Sequence, residues 1–101
     1  MITETNVYTF ITIANVQFIG HCENINKEVL EIKFPRLLKL VEKNKLALVK
    51  IPVYGSDIQK PALSSMMLYK QVLISINEPT TVVKKEYIKS LMIDGNIKRE
   101  S

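Results

Sequence analysis

Short apolar runs rich in β-branched and aromatic residues, broken by brief polar stretches, recur along most of the chain and in places alternate with a period of two, the texture of β-strands. Val7–Ala14 (VYTFITIA) is β-branched and aromatic throughout, Asn15 offers a turn, and Val16–Cys22 (VQFIGHC) continues as a second strand, with Gly20 marking a bend or bulge. Glu23–Glu28 reads as a strand end plus loop. Leu30, Ile32 and Phe34 then alternate with Glu31 and Lys33, the clearest period-two signal in the chain. Pro35 cannot donate to a ladder, so it implies a bulge or an edge before the apolar run resumes at Leu37. Glu42–Lys45 predicts a hairpin turn, Leu46–Val53 the next strand, and Tyr54–Ser65 a loop long enough to suggest a specific role.

MLYKQVLISI, residues 67–76, places Lys70-Gln71 between two apolar runs with neither Gly nor Pro to make a turn. We read it as two strands, one ending near Tyr69 and the next running Val72–Ile76. After Pro79 the period changes. Val83, Tyr87 and Leu91 fall on one helical face, Thr80 or Thr81 can cap it, and Asp94-Gly95-Asn96 supplies a stop. The prediction is an all-β fold with one short C-terminal helix: strands over about 5–78, a helix over about 80–93, one domain spanning 1–93, and a flexible tail at 94–101. The first three strands carry apolar residues on both faces. A flat sheet of this size cannot bury them, but a strongly bent antiparallel barrel can, and apolar edges left outside would need a partner subunit.

Composition narrows the function classes. The chain of 101 residues is 47% hydrophobic and 24% charged, a globular balance. Apolar runs are too short for a membrane-spanning helix, and Glu4 with no preceding basic region argues against a secretory signal. The lone Cys22 rules out an internal disulfide framework and suits a reducing cytoplasm. The net charge of +4 permits contact with nucleic acid without demanding it.

The order of pieces resembles the Sm-like family. TFITIANVQFIGHCENINKEVLEIKFPRLL is similar to the first Sm motif, with Asn15 at its turn and Gly20 at its glycine. Small Sm-like proteins of bacterial viruses are closer in pattern. Their IIGE-type second strand, KNPR-like third strand and Glu-Pro before a helix have counterparts in Phe18–His21, Lys33–Arg36 and Asn77–Pro79. The resemblance, over roughly residues 5–92, implies a five-stranded bent barrel. It also implies a homomeric ring of five to seven subunits in a cytoplasm (the host's, for a viral protein), and single-stranded RNA bound at the pore. The departures are specific. The Arg-Gly of the eukaryotic and archaeal members is missing. Where the bacterial host-factor branch has Tyr-Lys-His-Ala, this chain has Tyr69-Lys70-Gln71-Val72.

Candidate RNA-contacting residues are therefore Tyr69, Lys70 and Gln71 at the joint, with Asn24, Asn26 and Lys27 in the loop before the third strand. Lys70 would meet a phosphate and Gln71 a base edge. As a solvated turn and Asx-turn residues, the same side chains need no ligand. The shortened loop and missing Arg-Gly leave a second reading open, a structural or protein-adaptor ring without RNA. His21 and Cys22 are adjacent, so on a strand they face opposite ways and cannot act as base and nucleophile; with one His in the chain, a histidine-based metal cluster is excluded. Cys22 is expected in the core, and Met66 and Met67 as barrel or interface filler. Lys84, Lys85, Lys89, Lys98 and Arg99 make the C-terminal section basic, either an RNA-facing surface or a solvated helix face. No carboxylate pair, phosphate loop or triad points to an enzyme, and no cofactor is implied.

Overall fold

The computed structural model describes residues 5–42, 45–51 and 64–93. They form β1 (Val7–Thr12), β2 (Gln17–His21), β3 (Val29–Glu42), β4 (Lys45–Lys50), β5 (Ser65–Tyr69), a 3-10 turn (Lys70–Val72), β6 (Leu73–Asn77) and α1 (Thr81–Ile93). Every strand pairing is antiparallel, and the order across the sheet is β4-β3-β2-β1-β6, with β5 also on β3. The fold is thus mostly antiparallel β with one C-terminal helix.

The β1–β2 connection closes on Asn15, whose φ of 62° is a left-handed conformation that Asn tolerates; its N–H donates to the Thr12 carbonyl at 2.9 Å. Farther along, Ile19 pairs with Arg36 and His21 with Lys33, so Gly20 faces both Phe34 and Pro35: β3 carries the bulge. Phe34 adopts φ 51° there, and Pro35, which has no N–H to give, is buried beside it. A Cβ on Gly20 would overlap Cγ2 of Ile32 and lie 3.4 Å from the Lys33 carbonyl oxygen, so glycine is the residue that lets the two strands approach.

Two expectations need correction. The resemblance implied five strands, and the sequence one spanning 46–53; among the described residues there are six, and that strand ends at Lys50. Beyond Lys50 the ladder on β3 is taken over by β5, Arg36 pairing with Lys50 and Lys33 with Ser65, while the Phe34 N–H donates to the Ser64 carbonyl at 2.7 Å. β4 and β5 are therefore two pieces of one partner strand with residues 51–64 inserted between them. The second correction concerns closure. The sheet path is open, with β6 at one end and β4 at the other. β5 and β6 are consecutive but not paired among the described residues.

Both faces of β1 and β2 are buried, for different reasons. Phe10, Phe18 and Cys22 join Leu30 and Ile32 in one core, closed by Met66, Leu68, Leu73 and Ile76 of β5 and β6. Val7 and Ile19 point the other way, into a second core under Tyr87 and Leu91 of α1. The second apolar face is covered by the chain's own helix, so a partner subunit is not required for it. The Tyr87 hydroxyl donates to the carbonyls of Phe34 (2.8 Å) and Lys33 (3.2 Å), pinning the helix onto the β3 bulge. Thr80 caps the helix: its carbonyl accepts from the Lys84 N–H at 3.0 Å and its Oγ1 from the Val83 N–H at 3.4 Å. The stop at 94–96 lies outside the described residues.

Candidate functional site

Lys70–Val72 form a single 3-10 turn between two extended residues, Tyr69 (φ −72°, ψ 129°) and Leu73 (φ −100°, ψ 138°). Neither flank needs a positive φ, so the chain turns here without Gly. Two backbone hydrogen bonds fix the joint. The Lys70 N–H donates to the Glu28 carbonyl at 2.7 Å, and the Val72 carbonyl accepts from the Ile13 N–H at 2.9 Å. The first of these ties the joint to the end of the β2–β3 loop.

That tie brings together residues far apart in sequence. Asn26, Lys27 and Glu28 from the loop and Tyr69, Lys70 and Gln71 from the joint line one opening of about 410 Å³. Tyr69 is 63% exposed, leaving its ring open to solvent. Around the opening stand two ammonium groups, one carboxylate, two amides and one phenol: a weakly cationic rim with one stacking surface and amide donors and acceptors. Five of the expected residues, Asn26, Lys27, Tyr69, Lys70 and Gln71, thus share a site. Asn24 does not line it. Its Oδ1 accepts from the Asn26 N–H at 2.9 Å, an Asx turn that shapes the loop, and it lines a neighbouring cleft of about 280 Å³ to which Lys27 also contributes.

His21, Cys22, Glu23 and Lys33 line this second cleft. Cys22 belongs to the Phe10 core, and burial raises its thiol above the ordinary range, which keeps it protonated at neutral pH. Burial lowers the His21 pKa, partly opposed by Glu23, so the imidazole is neutral at pH 7; among the described residues its buried Nδ1 has no hydrogen-bond partner. Among the described residues no group of three or more His, Cys, Asp or Glu could hold a metal ion, and no helix is long and apolar enough to cross a membrane.

The described C-terminal lysines have different surroundings. Lys84 is tied to Glu78 at 2.5 Å, Lys85 is exposed, Lys89 lines a groove beside β4, and Lys98 and Arg99 lie outside the described residues. Met66 packs into the first core while Met67 is 65% exposed. Sequence reasoning missed the buried Arg36, whose Nη1 donates to the Pro35 carbonyl at 2.9 Å, and the groove itself. The only signal for the groove was Val82 and Ile93, apolar but off the Val83–Tyr87–Leu91 stripe.

Searched against protein-family models and curated proteins, the chain matches none.

Proposed function

We propose that the chain is a subunit of an Sm-like homomeric ring that binds single-stranded RNA at the strand joint. The observation that carries this reading is the convergence of Asn26, Lys27, Tyr69, Lys70 and Gln71 on one opening. A base stacks on the exposed Tyr69 ring, Gln71 and Asn26 address its edge, and Lys27 and Lys70 neutralise phosphates. The open sheet supports the ring. Among the described residues β5 and β6 each have one strand neighbour and one unpaired side, and Met67 and Ile74, each 65% exposed, stand on them. Pairing β5 of one subunit with β6 of the next is a heterologous contact; repeated around an axis it removes both edges and completes a barrel-like wall.

The test is fluorescence anisotropy with U-rich and A-rich oligonucleotides at two salt concentrations, using wild type and Tyr69→Ala. The reading expects tighter binding at low salt and weakening by the variant of roughly 1–3 kcal/mol, the worth of one stacked base. No binding at micromolar protein and low salt would refute RNA binding. Light scattering at a stable 11.6 kDa would separately refute the ring. Glu28, a carboxylate on the same rim, favours the second reading, a ring that serves as a protein adaptor without RNA. A ring that scatters as an oligomer yet ignores both oligonucleotides would select it.

A further inference from the structure

Lys27 lines two openings at once: the one that holds Tyr69, Lys70 and Gln71, and the neighbouring cleft of about 280 Å³. The loop that carries it divides its two amides between them, Asn26 on the first and Asn24 on the second, with the Asx turn from one to the other fixing the step. The second cleft is balanced in charge. Glu23 is ion-paired with Lys33 at 3.8 Å, and Lys27 is matched by Glu31. Val29 and Met67 give it an apolar wall, Met67 being 65% exposed and its thioether able to adapt to a flat face. Its buried polar side chain is His21, which is 8% exposed and whose Nδ1 has no partner among the described residues. Buried polar groups are nearly always partnered, so an orphan nitrogen beside an open cleft marks a place that a ligand completes.

We propose that each subunit seats two successive nucleotides: one base on Tyr69, and the next, a base with an exocyclic amino group, in the cleft beside His21. Lys27, common to both openings, meets the phosphate that joins them. This assignment rests on the RNA reading and deepens it. A cleft without net charge, with an apolar wall and a neutral imidazole, suits an uncharged heterocycle and not a phosphate. Its volume is below that of a drug-sized site and ample for one base. The edge groups set the choice of base. The Glu31 carboxylate only accepts hydrogen bonds, and an amino group on the base donates to it, whereas uracil would turn a carbonyl oxygen toward it.

The test uses the full chain with two RNA hexamers, hexauridylate and alternating uridine–cytidine, followed by fluorescence anisotropy and by amide shift mapping. The two pyrimidines have nearly the same stacking face and differ at the edge, where cytosine carries the amino group. The mixed hexamer is expected to bind about tenfold tighter. It should move the amides of His21, Cys22 and Glu31 in addition to those of Asn26 and Tyr69–Gln71, while hexauridylate moves only the second set. Glu31→Ala, with its circular dichroism unchanged, should bring the two hexamers to within about twofold of each other. Shifts confined to Asn26 and Tyr69–Gln71 for both hexamers would overturn the second base and leave the first. So would equal affinities, or a preference that survives Glu31→Ala. Failure of both hexamers to bind would remove the RNA reading itself, and this inference with it.

Discussion

Replacing Tyr87 by Phe tests whether the hydroxyl, and not the ring alone, fastens α1 to the β3 bulge. The side chain is fully buried, and its proton is shared between the Phe34 carbonyl at 2.8 Å and the Lys33 carbonyl at 3.2 Å. The Phe variant keeps the ring and its apolar contacts, so no large cavity opens. What is lost is one net hydrogen bond, about 0.5–1.5 kcal/mol, plus part of the cost of leaving a buried carbonyl unsatisfied, which together give roughly 1–2 kcal/mol. For a domain of this size that lowers Tm by roughly 5–15 °C. Leu91→Ala, which does open a cavity in the same core, should cost more, about 2–5 kcal/mol. A second readout is alkaline unfolding. Burial raises the Tyr87 pKa, the nearby Arg36 opposing in part, so the protonated hydroxyl contributes stability below its unfolded pKa of about 10 that is lost as pH rises past it. The variant should lack that component. Urea and thermal unfolding at one protein concentration, at pH 7 and above pH 10, measure both effects. A Phe variant within about 0.3 kcal/mol of wild type at pH 7 would refute the reasoning.

Gly20→Ala should destabilise by about 1–3 kcal/mol, because its methyl overlaps Ile32 and meets the Lys33 carbonyl; wild-type stability in urea would mean the bulge is not held as described. The His21 pKa is lowered in the fold, so stability should be flat above about pH 6.5 and fall as pH drops from there toward the folded value, while His21→Gln removes that slope. Matching pH profiles for the two proteins would count against a buried neutral imidazole. Cys22, 2% exposed and with its thiol pKa raised, should react with iodoacetamide only as fast as the fold opens; rapid native-state labelling would contradict its place in the core.

Local chemistry made much of the fold legible. Asn15 and Gly20 announced a turn and a bulge because each does what few residues can. Pro35 forced an irregularity wherever β3 ran, and the Val83–Tyr87–Leu91 stripe shows directly in the buried face of α1. Period two could show that both faces of β1 and β2 are apolar, but not what covers them. That Tyr87 and Leu91 cover Val7 and Ile19 depends on where α1 docks, a contact spanning most of the chain. For the same reason the split of one strand into β4 and β5 was hidden: Lys50 and Ser65 become neighbours on the ladder only through β3. At the candidate site, Tyr69, Lys70 and Gln71 were visible as a polar break in an apolar run. Their meeting with Asn26 and Lys27 rests on the β3–β5 register, which sets Tyr69 opposite Val29, and on the backbone bond from Lys70 to Glu28. Asn24 carries the same amide as Asn26, and only geometry separates a loop former from a rim residue.

The seam where β4 hands over to β5 has a consequence for how this chain can change over time. Both ends of the stretch 51–64 are anchored to neighbouring positions of β3, at Lys33–Phe34 and at Arg36, so the ladder on either side is already specified without it. Doubling such a connection costs only about 0.6 kcal/mol of closure entropy. On closure entropy alone, a longer connection at this seam leaves the β4 and β5 pairings with β3 in place at little cost. At this seam the ladder fixes where the two strand pieces pair, and it does so through β3 and not through the length of the chain that joins them.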